Sequence, residues 1–125
     1  MLLNLLQQSL AVVRLDPGNS IPGWATTGSF CSITITPEEL SIFCDSAVVP
    51  GDVEKVDGWR AFQVAGQIGL ELSGIIAQLA VPLSAKQIPI FSISTHDTDY
   101  ILAREDQLAD ATDVLKRAGH SIRIP

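Results

Sequence analysis

With 125 residues, 46% of them hydrophobic, and a formal charge of −6, the chain suffices for one average domain or two small units built on a core. Its eight Lys and Arg are scattered singly or in one pair, which excludes a basic surface for phosphate backbones or anionic lipid; neither nucleic acid nor a membrane surface is an expected partner. No stretch reaches transmembrane length and the first six residues lack the basic flank and cleavage site of a signal peptide, so a cytoplasmic protein with Cys31 and Cys44 reduced is expected.

Leu10 to Leu15, reading LAVVRL, is expected to form a buried strand, ended by the turn residues Asp16-Pro17-Gly18-Asn19. Residues 21–25 have room for one helical turn at most, with Ser20 as its N-cap and Trp24 as an apolar anchor. Strand character returns at Phe30 to Ile35. Pro37 suits the second position of a type I turn, and Leu40 to Cys44 runs back as the other arm of a hairpin, on which Cys31 and Cys44 face each other if the turn centres on Pro37-Glu38. The segment 45–57, acidic and holding a Pro-Gly pair, reads as a connector, which puts the domain boundary near Gly58: one unit over 1–57, a second over 58–125.

Trp59 to Ala65 alternates as a strand does. Leu72, Ile75, Ile76, Leu79 and Leu83 repeat at helical spacing, which predicts a helix over 72–86 starting at or just before Ser73 and loosened by Pro82 at the turn holding Gln78. Next, Ile88 to Leu102, reading IPIFSISTHDTDYIL, sets two strand-like runs around a polar insert too short for a helix: a β-hairpin turning at His96-Asp97. A second helix is expected over 105–118, with Leu108, Ala111, Leu115 and Ala118 as its apolar stripe, Glu105 and Asp106 at its positive end, Lys116 and Arg117 at its negative end and Gly119 just past its end. Ser121 to Ile124 makes a last short strand and completes β-α-β-β-α-β, the ferredoxin-like order. The fold class is therefore α+β: a ferredoxin-like unit preceded by an abbreviated, β-rich one in which Trp24 stands where the second unit has its long helix.

The string Ile93-Ser94-Thr95-His96-Asp97-Thr98-Asp99-Tyr100-Ile101-Leu102 resembles the signature of the ACT-domain proteins related to the CASTOR arginine sensors, in which a Tyr usually stands at the place of His96. The resemblance extends through Gly58-Trp59-Arg60, Ser73-Gly74-Ile75-Ile76-Ala77 and Ala80-Val81-Pro82-Leu83 to Ala118-Gly119-His120. Toward the N-terminus it takes in Arg14-Leu15, Ile21-Pro22, Trp24 and Glu39-Leu40-Ser41-Ile42. It implies two ACT-like units in tandem that bind a small ligand, commonly an amino acid, and carry out no chemistry of their own.

The segment 67–74, with Ser73 and Gly74 ahead of Ile75 and Ile76, has two readings: a glycine at a helix start lets backbone N–H groups approach a ligand carboxylate, or it permits close packing of helix on strand. The resemblance favours the ligand and implies that Ser41-Ile42-Phe43, which reads equally as an ordinary hairpin arm, offers main-chain groups to it. Asp97 and Asp99 make a poor catalytic pair, because their relative direction is open on a strand or tight turn; either suits a ligand ammonium or guanidinium, and either also suits a solvated or turn-forming role. Ser94 and Thr95 complete the expected ligand-binding set. Metal is not expected, since His96 has no second His or Cys at ligand spacing and His120 is isolated, and neither is a cofactor: Walker and dinucleotide-binding glycine patterns are lacking. Ser92 and Ser94 sit in no nucleophile elbow.

The expectation is a regulatory or sensor protein, not an enzyme, that binds a free amino acid, arginine or another polar type, as a homodimer. The alternative is a ligand-free interaction module that pairs with itself or with a partner enzyme.

Overall fold

The first four residues after Met1 supply a strand that sequence patterning did not reveal. The computed structural model describes residues 1–66 and 73–125, with strands β1 (Leu2–Leu5), β2 (Leu10–Leu15), β3 (Cys31–Ile35), β4 (Leu40–Asp45) and β5 (Val56–Val64), helix α1 (Ile75–Ala85), strands β6 (Ile90–Ser94) and β7 (Asp99–Arg104), helix α2 (Leu108–Arg117) and strand β8 (Ser121–Arg123). Contacts divide the chain into a larger unit, residues 1–7 with 60–125, and a smaller one, residues 8–59.

In the larger unit the strand order is β6-β7-β5-β1-β8. Without β1 this is the order of a ferredoxin-like βαββαβ fold; β1 is wedged between the first and last strands of that motif, antiparallel to β5 and parallel to β8. Its alternation explains the position. Leu3 and Leu5 are buried among Phe62, Val64, Leu79, Leu83, Ile101, Ala111 and Leu115, each such side chain contributing about 2 kcal/mol of apolar burial, while Asn4 points to the other face. This pairing is why residues 1–7 join the C-terminal part of the chain.

Helix α1 begins later than its periodicity suggests: Gly74, in the left-handed region at φ 78°, is its N-cap, and residue 72 lies outside the described residues. Helix α2 follows a single 3-10 turn, Glu105–Gln107, with Ala111 and Leu115 buried. Both helices close with a bond from the second residue past the cap to the third-last carbonyl, Ile88 N to Leu83 O at 3.0 Å and His120 N to Leu115 O at 3.1 Å. The left-handed residue that this closure requires is Gly119 in one case and Gln87 in the other.

The smaller unit has the strand order β3-β4-β2, continued by the first residues of β5, with Leu10 opposite Trp59 and Val12 opposite Val56. The strand β5 thus starts inside the segment read as a connector. Between β2 and β3 a 3-10 turn, Gly23–Thr26, buries Ala25 and sets Trp24 against Ala11, Val13, Leu40, Ile42, Cys44 and Val49. Pro22, not Ser20, occupies its N-cap position, with no side-chain cap bond. The Asp45 carboxylate holds the entry to β3 by accepting from Ser29 N (3.0 Å), Ser29 Oγ (3.0 Å) and Phe30 N (2.9 Å).

The two hairpins share one construction. Thr36 N donates to Glu39 O at 3.0 Å and Thr95 N to Thr98 O at 2.8 Å; in each turn the threonine Oγ1 accepts the N–H three residues on, from Glu39 and Thr98. A hydroxyl in the place of a backbone acceptor fixes the tip and leaves the two central residues exposed.

Candidate functional site

Thr98 ties the tip of the β6–β7 hairpin to β5. Leu6 N donates to Ala61 O and Ala65 N to Leu2 O, so alternate pairs of the β1–β5 ladder are bonded and the carbonyl of Val64 faces away from β1. The buried Thr98 hydroxyl donates to it at 2.7 Å. One pleat along, the Gln63 amide donates to the Tyr100 hydroxyl at 3.0 Å and accepts from Asn4 Nδ2 at 3.4 Å, and Arg123 Nε donates to Asn4 Oδ1 at 2.7 Å. A polar row therefore crosses the larger unit's sheet on the face opposite its core.

That row ends at an open cleft of about 360 Å³ lined by Gln63, Gly66, Thr95, Asp97, Thr98 and Tyr100. Hydroxyls, an amide and a carboxylate converge there. His96 Nδ1 lies 2.9 Å from Asp97 Oδ1 at the exposed tip. A larger cleft, about 490 Å³, lies along α1 and the end of α2; Ala77, Val81, Pro82, Ala85 and Ala118 make it mainly apolar, and of its polar lining, Gln78 and His120, the imidazole is bonded to the Gln78 carbonyl, which suits it less to fixing a zwitterion.

Of the residues expected at a ligand site, Thr95 and Asp97 meet in the polar cleft. Ser94 and Asp99 face each other across the β6–β7 ladder just below the tip, Asp99 being only 8% exposed. Ser73 and Gly74 precede α1, and Ile75 and Ile76 pack their side chains against the core, so what these residues offer a ligand is the backbone N–H groups of the first turn. The rest of the segment 67–74, residues 67–72, lies outside the described residues. Ser41, Ile42 and Phe43 are in the smaller unit, on β4, which is paired with β2 on one edge and β3 on the other. The ladder occupies the main-chain groups that the sequence reading offered to a ligand; Ile42 is fully buried, and Ser41 and Phe43 are half-buried on the opposite face.

Gln63, Gly66, Thr98 and Tyr100 were not singled out as site residues. Thr98 and Tyr100 stand in the string THDTDY beside the residues that were, and only the pairing of β7 with β5 brings Gln63 to them. Among the described residues no three His, Cys, Asp or Glu side chains group as a metal site requires, and no helix is long and apolar enough to cross a membrane.

An ACT-domain family model matches residues 54–117, and a second model, of an N-terminal domain, matches residues 8–52. The chain belongs to the ACT-domain family. The cytosolic arginine sensor for mTORC1 subunit 1 of Mus musculus is 30% identical over 118 residues, covering 82% of this chain and 36% of that protein. Its Homo sapiens counterpart is 40% identical over 60 residues, covering 47% of this chain and 18% of that protein, so the chain spans a third or so of these curated relatives at most. Among solved structures, a protein of Agobacterium tumefaciens is similar with a TM-score of 0.93 at 39% identity, over 99% of this chain and 92% of that one. An aspartate kinase of Clostridium acetobutylicum shares the fold, with a TM-score of 0.67 at 12% identity over 90% of this chain and 33% of the kinase.

Proposed function

We propose that the chain is a regulatory domain that binds a free amino acid, without catalysis, at the polar cleft of the larger unit. The observation that carries this reading is the convergence of Thr95, Asp97, Thr98, Tyr100 and Gln63 on one cleft, at the string where the family resemblance is most specific. Membership of the ACT-domain family and the likeness to a protein named as an arginine sensor support it.

In this reading Asp97 accepts N–H bonds from the ligand's ammonium or from a cationic side chain, and the hydroxyls of Thr95 and Tyr100 fix its orientation. The ligand carboxylate meets N–H groups at the start of α1, near Gly74 to Ile76, where the helix leaves donors unused and the helix dipole favours negative charge. Polar or cationic amino acids, arginine among them, are preferred over apolar ones. Isothermal titration tests the assignment: Asp97→Ala weakens cationic ligands selectively, and Gly74→Val abolishes binding while the fold persists. Equal affinity of wild type and both variants would remove the site.

The protein works in the cytoplasm as a homodimer in this account. The edge of β6, which among the described residues pairs only with β7, is the observation that supports pairing, with Phe91 40% exposed on it. It equally supports the second reading, a module that pairs through its edge and binds nothing small. Sedimentation velocity gives a dimer in both; a monomer at every concentration would contradict both.

A further inference from the structure

Cys31 and Cys44 are directly opposite each other on β3 and β4. Bonded and non-bonded pairs alternate along an antiparallel ladder, and the bond from Thr36 N to Glu39 O sets the phase: Thr34–Ser41 and Ser32–Phe43 are bonded pairs, while Ile33–Ile42 and Cys31–Cys44 are not. In a non-bonded pair the Cα atoms lie about 4.5 Å apart with both side chains on one face, inside the range that a disulfide spans without backbone movement. The two thiols differ in access. Cys44 is fully buried in the smaller unit's core, whereas Cys31 is exposed on β3, which among the described residues pairs only with β4.

We propose that Cys31 and Cys44 form a redox-responsive dithiol that closes to a cross-strand disulfide by exchange with a small disulfide of the oxidised-glutathione class. The Cys31 thiolate attacks one sulfur of the reagent; its S–S bond breaks, a mixed disulfide forms on Cys31, and the departing thiolate takes up the proton that Cys31 released. Cys44 then loses its proton and its sulfur attacks Cys31 Sγ, expelling the second reagent thiol with that proton. Two protein thiols become one disulfide as one reagent disulfide becomes two thiols.

Asymmetric access orders these steps, because Cys44 meets the reagent only through Cys31. Desolvation, then the Asp45 carboxylate, raises the Cys31 thiol above its ordinary pKa; burial, then Cys31 and Asp45, pushes Cys44 up to about 11 against a smaller lowering by Lys55. Both thiols therefore stay protonated near neutral pH, which keeps the thiolate fraction low and makes closure slow. Once closed, the bond staples the edge strand of the smaller unit to its central strand. This device is independent of the amino-acid reading, which concerns the larger unit.

The test is incubation of the purified chain with oxidised glutathione, quenching with an alkylating reagent, and intact-mass and peptide mapping. The expected product is two hydrogens lighter, carries neither glutathione nor alkyl group, maps to a Cys31–Cys44 link, melts several degrees above the reduced form and reverts with dithiothreitol. Cys44→Ala stops with one glutathione on Cys31, and Cys31→Ser stays unmodified while folded. A wild-type chain that accumulates a glutathione adduct without closing, or that keeps both thiols alkylatable, overturns the proposal, and because this arm needs no variant it stands whether or not Cys44→Ala folds.

Discussion

The Nε2–H of His120 donates to the carbonyl oxygen of Gln78 at 3.1 Å, the acceptor that Pro82 leaves without its helical donor. A proline inside a helix removes the bond to the residue four before it, and here that residue is Gln78. The helix nevertheless runs unbroken from Ile75 to Ala85, with the buried imidazole, just past the end of α2, replacing the missing N–H.

This substitution of a side chain for a backbone donor predicts coupling between positions 82 and 120. His120→Leu costs about 1 kcal/mol in the wild-type background and clearly less beside Pro82→Ala, where a restored N–H satisfies Gln78. Urea unfolding of the four members of the cycle measures it. Strictly additive changes would show that the His120 bond does not compensate for Pro82.

Gln87 holds a left-handed conformation, φ 57°, at the position that Gly119 occupies after α2. A side chain costs about 1 kcal/mol there, and the residue's role in closing α1 is carried by its backbone N–H, which donates to Ser84 O at 2.9 Å. Gln87→Gly is expected to raise the melting temperature by a few degrees, the greater flexibility of glycine in the unfolded chain offsetting part of the gain. A lower melting temperature would contradict this account of the cap.

Stability should fall as the pH rises through the alkaline range. The folded pKa of Cys44, about 11, lies above the ordinary value of 9.0, so the thiol's contribution is complete below pH 9 and is lost as the pH climbs toward 11. Chemical denaturation at pH 8 and pH 11 measures the loss, and Cys44→Ala should flatten that slope even though it lowers stability at both pH values.

Where local pattern and tertiary pairing agree, the sequence was legible. The β6–β7 hairpin could be read because two apolar runs flank a four-residue polar tip, and α2 because stripe, charges and Gly119 all point to one helix. Leu2 to Leu5 could not be read: four residues are too few to establish a period, and the partners that make them a strand, near Val64 and Ser121, lie far along the chain. The same long-range pairing hid the composition of the cleft. Asp97 and Thr95 were visible in the tip itself, whereas Gln63 joins them only through the pairing of β5 with β7. The residue pattern of β4 is that of a hairpin arm, and nothing local indicates that both of its edges are paired, to β2 as well as to β3.

A thermal-shift screen of the twenty amino acids tests the central claim most directly. A ligand at a hundred times its dissociation constant stabilises the native state by roughly 2.7 kcal/mol, several degrees for a chain of this size. The account predicts a shift of that order for one or a few polar amino acids, largest for cationic ones and absent in Gly74→Val. If none of the twenty moves the melting point, the chain is not an amino-acid-binding domain, and the edge-pairing module is the better account.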